Sequence, residues 1–248
     1  VARQRNEALE FGRPVSPWLN FKFKLADKIV LSKIRDRLGG RLVFMSAGGA
    51  ATSLTVLQFF EDIGVPIAEG YGLTETSPVI SSGSNTWEYR RLGCVGVPLP
   101  GNTVAIIDPV TGEERGPDEE GEVCQAGANV MVGYRNNPEA NAEVFFEMNG
   151  KKFFRTGDLG RMVEGKFLKI TGRIKEQFKL ENGKYVVPAP CEDAMARSQF
   201  IAQTFLYGDN RPYAVALIVP DIIEVKAWAD KKGIPNDGTL ASLITNVE

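Results

Sequence analysis

A nine-residue segment, EGYGLTETS, combines residue types that could bind a nucleotide. Its candidate ligand-binding residues are Glu69, Gly70, Tyr71, Gly72, Thr74 and Glu75. The two glycines would let the backbone approach a planar ligand, and the tyrosine offers a ring for stacking. The hydroxyl of Thr74 can hydrogen-bond a phosphate oxygen, and the carboxylate of Glu75 can hold Mg²⁺. The spacing alone also fits an ordinary turn in which Thr74 or Thr76 caps a helix.

A Gly-Gly turn precedes this segment along the chain. Backbone N–H groups of Gly48, Gly49 and Ala50 could meet an anion or the edge of a base. The alternative is a tight connection between a strand and a helix. Because each of the two segments follows a predicted strand, both could line one crevice at the carboxyl edge of a sheet.

Two later segments carry further charged candidates. In RTGDLG (155–160), Asp158 could accept hydrogen bonds from both ribose hydroxyls, or it could cap its own backbone in an Asx-turn. In GRIKEQFK (172–179), Arg173 could clamp a phosphate or a ribose. Lys175 lies where a hinge would absorb changes in dihedral angle. An amphipathic edge strand is the alternative for this second segment.

The composition narrows the chemistry that these residues can perform. The 248 residues include no histidine, which excludes Ser-His-Asp and Cys-His catalysis and histidine-based metal sites. A net charge of -2 argues against dedicated nucleic-acid binding. Cys94, Cys124 and Cys191 form no CxxC pair, so we expect small buried residues in a reducing compartment. We find no signal-peptide pattern and no apolar run of about 18 residues.

The elements that must position these candidates change in character along the chain. Residues 20–75 alternate helix, strand, helix and strand, which is the rhythm of a parallel α/β sheet. From about 92 to 171, short strands broken by Gly and Pro predict a small antiparallel barrel or sheet. The predicted fold class is α/β, with the end of a large α/β domain, a small β-barrel subdomain and then a smaller α+β C-terminal domain.

Individual elements can be predicted by residue. Helices are expected at about 20–38, 53–62, 190–198 and 222–232. Strands are expected at 41–46, 65–69, 94–97, 103–108, 121–126, 153–155, 160–164, 166–170, 201–207 and 213–219. Asn182-Gly183 marks a hairpin between 175–180 and 184–187. Residues 1–19 predict only a frayed helix end and a connector.

Five ordered motifs together resemble the adenylate-forming acyl-CoA synthetases, and most of all their long-chain fatty acid branch. They are EGYGLTETSPV, VGVPLPG (95–101), GEVCQAGANVMVGYRNNPEA (121–140), FFRTGDLG (153–160) and GRIKEQFKLENGKYVVP (172–188). The resemblance implies that 1–171 is the C-terminal part of a large AMP-binding domain, with its β-rich part starting near 92. It implies that 172–248 is a hinge and an incomplete, mobile C-terminal domain.

The resemblance also implies the ligands and a role for each candidate residue. The ligands would be ATP or AMP, Mg²⁺, a fatty acid and CoA as co-substrate, with no nucleic acid. The nucleotide-binding residues would be Gly48, Gly49, Ala50, Glu69, Gly70, Tyr71, Gly72, Thr74, Asp158 and Arg173. The catalytic set would be Thr74, Glu75 and Lys175.

Within these sets, the implied roles differ. The Gly-Gly-Ala turn would line the adenine and the mouth of the acyl channel, and Tyr71 would stack on the adenine. Thr74 would touch the α-phosphate, and Glu75 would hold Mg²⁺. Asp158 and Arg173 would bind the ribose. Lys175 would be the hinge about which the small domain rotates, and the loop Glu181-Asn182-Gly183 would swing in beside the pantetheine arm of CoA.

Departures from the family pattern and alternatives remain. The family's phosphate loop ending in Lys is not found in residues 1–47, and no Lys follows Gly233, where the family carries a catalytic Lys. We therefore expect an internal segment of a longer protein, in the cytoplasm or on the cytosolic face of a membrane, with peripheral membrane association compatible and oligomeric state open. The alternatives are a fatty-acyl-AMP ligase, an acyl-ACP synthetase, an amino-acid-activating domain, a non-catalytic relative that binds nucleotide or acyl-CoA, or an unrelated α/β protein.

A first prediction concerns activity. Because both lysine-bearing motifs are missing, we expect the 248-residue chain alone to show no fatty-acid-dependent ATP–pyrophosphate exchange. The measurement is the incorporation of labelled pyrophosphate into ATP, with and without a long-chain fatty acid. A full-length synthetase serves as the positive control, and exchange by the chain alone would contradict the prediction.

Overall fold

The first part of the chain folds into a pair of parallel strands, with helices before the first strand and between the two. The computed structural model describes residues 1–239, 241 and 242, and the chain divides into two units, Val1–Ile170 and Thr171–Glu248. The opening elements are α1 (Ala2–Glu10), α2 (Pro17–Ala26), α3 (Ser32–Arg37), β1 (Met45–Ala47), α4 (Leu54–Asp62) and β2 (Ile67–Tyr71). β1 and β2 run parallel, as the alternating pattern predicts. The predicted C-terminal domain, 172–248, includes residues 240 and 243–248, which lie outside the described residues.

Several predicted boundaries in this region are wrong. The predicted helix 20–38 is interrupted by a π-helical stretch, Asp27–Leu31, between α2 and α3. β1 begins four residues later than expected, because its register starts at Met45 opposite Ile67 and the preceding Pro66 has no N–H to extend the ladder. Residues 2–10 form a helix instead of a frayed end.

The rest of the first unit is dominated by antiparallel strands. They are β3 (Ser81–Ser82), β4 (Val97–Pro98), β5 (Thr103–Ile107), β6 (Gly121–Ala126), β7 (Phe145–Met148), β8 (Lys151–Val163) and β9 (Phe167–Arg173). β3 and β4 extend the sheet of β1 and β2, and the other five form a second, antiparallel sheet. A short helix, α5 (Pro138–Val144), and β7 have no counterpart in the predicted elements.

The second sheet is packed on both faces. One face buries Ala105, Cys124 and Phe153, and the other buries Val123 and Leu168. β8 is a single strand, so the expected separate strands at 153–155 and 160–164 are wrong. Its middle contains a bulge, because Glu122 pairs with Leu159 while Cys124 pairs with Arg155.

The second unit has α+β character, as predicted. After a 3-10 helix over Ile174–Glu176, its elements are β10 (Phe178–Lys179), β11 (Tyr185–Val186), α6 (Pro188–Met195), β12 (Ile201–Tyr207), β13 (Val215–Pro220) and α7 (Ile222–Lys232). β10 and β11 are antiparallel, so the hairpin at Asn182-Gly183 is confirmed. The first strand of that hairpin is shorter than the predicted 175–180, because its start is helical. Among the described residues, no helix has the length and apolar character needed to cross a bilayer.

The three cysteines differ in exposure. All are free, and Cys94 and Cys124 are buried as expected, but Cys191 is exposed on α6, so the expectation of burial is wrong for this residue. Cys191 lies on a helix without buried residues. Burial raises the pKa of the Cys94 thiol to about 11 and raises that of Cys124 as well.

We therefore expect iodoacetamide at pH 8 to alkylate Cys191 alone in the native protein. The buried thiols are shielded, and their raised pKa values leave little reactive thiolate at this pH. Intact-mass measurement should give one adduct, and peptide mapping should place it on Cys191. Cys191→Ser is the control and should remove the adduct, whereas native alkylation of Cys94 or Cys124 would contradict the prediction.

Candidate active site

The two glycine-containing segments meet at the carboxyl edge of the parallel pair. Ala47 is in register with Glu69, so the chain leaves β1 and β2 side by side. A Cβ placed on Gly48 would lie 3.2 Å from the carbonyl oxygen of Gly70. Gly49 and Ala50 are exposed just beyond. The structure thus brings together the two segments that the sequence predicts to share a crevice.

Glu69 faces the start of the following helix. Its carboxylate is buried, and Oε1 accepts a hydrogen bond from the backbone N–H of Thr52 at 3.3 Å. Burial is the main cause that raises the pKa of Glu69, and the Thr52 hydrogen bonds oppose this. In this arrangement the carboxylate holds the segment that follows the Gly-Gly turn.

Tyr71 and Asp158 form a direct hydrogen bond. The Tyr71 hydroxyl donates to Oδ2 of Asp158 at 2.7 Å, although 87 residues separate them. The ring of Tyr71 packs against the apolar cluster on one face of the second sheet. Asp158 is only 4% exposed, so its carboxylate lies in a largely enclosed position beside the tyrosine.

The bulge in β8 sets the direction of Asp158. Gly157 has a φ of +73°, and its N–H donates to Glu122 at 3.2 Å. Glu122 is itself buried and accepts a 2.6 Å hydrogen bond from Arg155. The Thr156 hydroxyl accepts from the N–H of Asp158 at 3.1 Å and donates to Val123 at 2.7 Å. Bulges redirect side chains in this way beside functional sites, and no residue pattern in the sequence marks Glu122 for this role.

Thr74 and Glu75 lie on one turn of 3-10 helix, Thr74–Thr76. Thr74 is exposed, and Glu75 is half-buried. The N-cap of this turn is Leu73, so the alternative in which Thr74 or Thr76 caps a helix is wrong; instead the hydroxyl of Thr76, within the turn, accepts from Leu73 N–H at 3.0 Å. The Asn129 amide donates to the carbonyl oxygens of Thr76 and Val79 at 2.7 and 3.0 Å, which ties this turn to the segment after β6.

Tyr134 contacts the carboxylate of Glu75. Its hydroxyl donates to Oε1 at 2.8 Å, and the Met131 N–H donates to the Glu75 carbonyl at 2.7 Å. Burial raises the pKa of Tyr134, and the hydrogen bond to Glu75 adds to this. Tyr134 and Asn129 both lie within the motif 121–140, where residue type and spacing alone mark neither of them as a site residue.

The remaining candidates lie at the boundary between the units and in the second unit. Arg173 is the last residue of β9 and is exposed. Lys175 is exposed on the short 3-10 helix and lines an open cavity of about 600 Å³ within the second unit. In the loop Glu181-Asn182-Gly183, Gly183 has a φ of +85°, which suits the tight turn.

Comparisons with known proteins match both units. The AMP-binding enzyme model matches residues 16–135, and the AMP-binding enzyme C-terminal domain model matches 175–236. Long-chain-fatty-acid–CoA ligase 1 of Homo sapiens is 34% identical over 225 residues, which are 90% of this chain and 31% of that protein. Long chain acyl-CoA synthetase 6, peroxisomal, of Arabidopsis thaliana is 35% identical over 253 residues, covering 98% and 33%. The chain spans about a third of the length of these relatives.

Solved structures agree with the sequence comparisons. The O-succinylbenzoate coenzyme A synthetase of Bacillus subtilis, in complex with ATP and magnesium ion, has a TM-score of 0.62 and 28% identity. The match covers 72% of this chain and 36% of that one. The fold class predicted from the sequence is confirmed. The chain belongs to the family of AMP-binding, adenylate-forming enzymes.

Crowding at Gly72 gives a prediction for the site. An added Cβ would lie 1.7 Å from the Pro78 carbonyl oxygen, whereas one on Gly70 would meet nothing closer than 3.6 Å. Gly72→Ala should therefore lower the free energy of unfolding by about 1–3 kcal/mol or more, because backbone must move. Gly70→Ala is the matched control and should change it little. Denaturant titrations give both values, and equal effects would contradict the crowding argument.

Proposed function

We propose that the chain is part of an ATP-dependent long-chain fatty acid–CoA ligase. The observation that carries the proposal is the Tyr71–Asp158 hydrogen bond, which holds an aromatic ring beside an enclosed carboxylate. A stacking surface and a ribose acceptor need this proximity if they are to bind one nucleoside. The long-chain preference rests on curated relatives at about 35% identity.

The proposed reaction proceeds in two transfers. An oxygen of the fatty acid carboxylate attacks the α-phosphorus of ATP, the bond to the bridging oxygen breaks, and pyrophosphate leaves. The CoA thiol then attacks the acyl carbonyl, AMP leaves, and the thiol proton passes to solvent. Such chemistry depends on positioning and charge neutralisation, which is compatible with a chain that has no histidine.

Each candidate has a place in this proposal. The Gly48–Ala50 turn would line the adenine, Tyr71 would stack on it, and Asp158 would accept hydrogen bonds from the ribose hydroxyls. Thr74 would donate from its exposed hydroxyl to the α-phosphate. Glu69 would support nucleotide binding by holding the segment after the Gly-Gly turn through its hydrogen bond from Thr52.

Glu75 fits Mg²⁺ in a limited way. Within the described part of the chain, no three His, Cys, Asp or Glu residues converge as a metal cluster. Mg²⁺ is commonly bound by one or two carboxylates together with substrate phosphates, so one carboxylate suffices when a nucleotide is bound. The ion would neutralise phosphate charge, and Glu75 would supply one oxygen to it.

In this proposal, residues of the second unit act in domain movement and in binding CoA, the acyl acceptor. Arg173 would reach the ribose, Lys175 would act as the hinge residue, and Glu181–Gly183 would approach the pantetheine arm of CoA. We likewise propose the boundary near residue 172 as the start of the mobile C-terminal domain. A location in the cytoplasm or on the cytosolic face of a membrane is part of the proposal, although the Arabidopsis relative is peroxisomal by name.

Asp158 offers a sharp test of nucleotide binding. Asp158→Asn should weaken ATP binding about tenfold, because hydrogen bonds to a charged acceptor are worth about 1.5–3 kcal/mol. It should leave the affinity for 2′,3′-dideoxy-ATP unchanged, since that analogue has no ribose hydroxyls to lose. Calorimetry with both nucleotides measures the two affinities.

The control for this test is Asp118→Asn, which changes an exposed aspartate of the same unit. It should alter neither affinity. An equal loss for ATP and the dideoxy analogue would contradict the ribose role. Binding of acyl-CoA without any binding of ATP or AMP would favour the non-catalytic alternative.

A further inference from the structure

The two oxygens of the Glu75 carboxylate are not equivalent. Oε1 accepts the hydrogen bond from the Tyr134 hydroxyl at 2.8 Å. Oε2 accepts no hydrogen bond from any residue that the structure describes. A cation approaching this carboxylate therefore finds one oxygen that already accepts from a neutral donor and one oxygen that does not.

The phenol is held in place from its own backbone. The Tyr134 N–H donates to Oδ1 of Asn141 at 2.7 Å, and the Asn141 amide donates to the Tyr134 carbonyl at 2.9 Å. Asn141 lies on α5, whose first turn is capped by Asn137 through the N–H of Ala140 at 3.1 Å. These two hydrogen bonds fix the backbone of Tyr134, and with it the ring, to α5.

The backbone of Glu75 is fixed against the same segment. The Met131 N–H donates to its carbonyl oxygen at 2.7 Å, three residues before Tyr134. Both partners of the side-chain hydrogen bond are thus joined to one stretch of chain. The orientation of the carboxylate is set by this pair of contacts, because rotation about its last bond would break the hydrogen bond to Tyr134.

We propose that Tyr134 is a positioning residue that makes Glu75 a one-oxygen metal ligand and so favours Mg²⁺ over Ca²⁺. The inference rests on the proposed function, in which Glu75 binds the metal. Mg²⁺ is small and demands near-octahedral geometry, which suits a single carboxylate oxygen. Ca²⁺ is larger and readily takes both oxygens of a carboxylate, and at Oε1 it would compete with the phenol for the electron density of that oxygen.

The test compares two metals in one binding assay. The protein is titrated with Mg²⁺ or Ca²⁺ in the presence of a fluorescent, non-hydrolysable ATP analogue, and the half-saturating metal concentration is measured. Tyr134→Phe should raise the value for Mg²⁺ about tenfold, as expected when a residue that orients a metal ligand is lost. The value for Ca²⁺ should rise less, so the preference for Mg²⁺ should fall. Equal changes for both metals, or no change, would overturn the inference.

The preference is the ratio of the half-saturating Ca²⁺ concentration to the half-saturating Mg²⁺ concentration, both measured on one variant. This ratio does not depend on the fraction of protein that is folded. Tyr89→Phe is the matched control, since the Tyr89 hydroxyl also contacts a carboxylate, that of Glu88, away from this turn. It should leave the ratio unchanged. A fall in the ratio as large as that of Tyr134→Phe would overturn the inference.

Glu75→Gln separates the inference from the proposed function. It should remove most of the metal dependence of nucleotide binding. If Glu75→Gln binds nucleotide with the metal dependence of the unaltered protein, the metal role in the proposed function fails, and the inference fails with it. If Glu75→Gln removes the dependence while Tyr134→Phe leaves the ratio unchanged, only the inference is overturned.

Discussion

The amide of Asn129 is the contact on which the arrangement of the candidate site depends. It donates to two carbonyl oxygens of the turn after β2, and its own oxygen accepts from the buried Gln125 of β6 at 2.7 Å. The turn has little regular hydrogen bonding of its own, so a side chain supplies the donors that a ladder would otherwise give. Thr74 and Glu75 take their positions relative to the second sheet through this contact.

Carboxylates elsewhere in the first unit also hydrogen-bond the backbone of another segment. Glu10 accepts from the N–H of Leu92 at 3.1 Å, Glu69 from Thr52, and Glu122 from Gly157. Burial raises the pKa of Glu10 and of Glu69, and in both cases the backbone donor opposes that effect. Each carboxylate joins segments distant in sequence, because a buried acceptor needs a donor and the nearest one belongs to another element.

The sequence predicts those parts of the fold that have a local cause. The parallel pair of β1 and β2 follows from apolar runs separated by an amphipathic helix, and the hairpin of β10 and β11 follows from Asn182-Gly183. The helix over 2–10 cannot be predicted in this way, because its buried positions, Asn6 and Glu10, are polar and break the apolar periodicity. α5 leaves no apolar pattern either, because it is short and buries no residue.

Some residues of the candidate site can be recognised from the sequence, but the contacts between them cannot. Tyr71 and Asp158 were singled out by residue type within glycine-containing motifs, but nothing in the sequence says that they touch. Tyr134 and Glu122 act through hydrogen bonds to partners far along the chain. Such contacts leave no spacing pattern in the sequence, because they arise only when distant segments meet in the folded chain.

The bulge in β8 also constrains how this strand can change length. Between the pairs Glu122–Leu159 and Cys124–Arg155, one residue of β6 faces three of β8, so the excess is two. An even excess preserves the alternation of side chains, and Leu159 returns to the face that carries Arg155. Loss of one residue from the bulge would reverse this parity and turn the buried Leu159 toward the opposite face. A change of two residues in this segment would keep the side-chain alternation on both sides of the bulge, whereas a change of one would not.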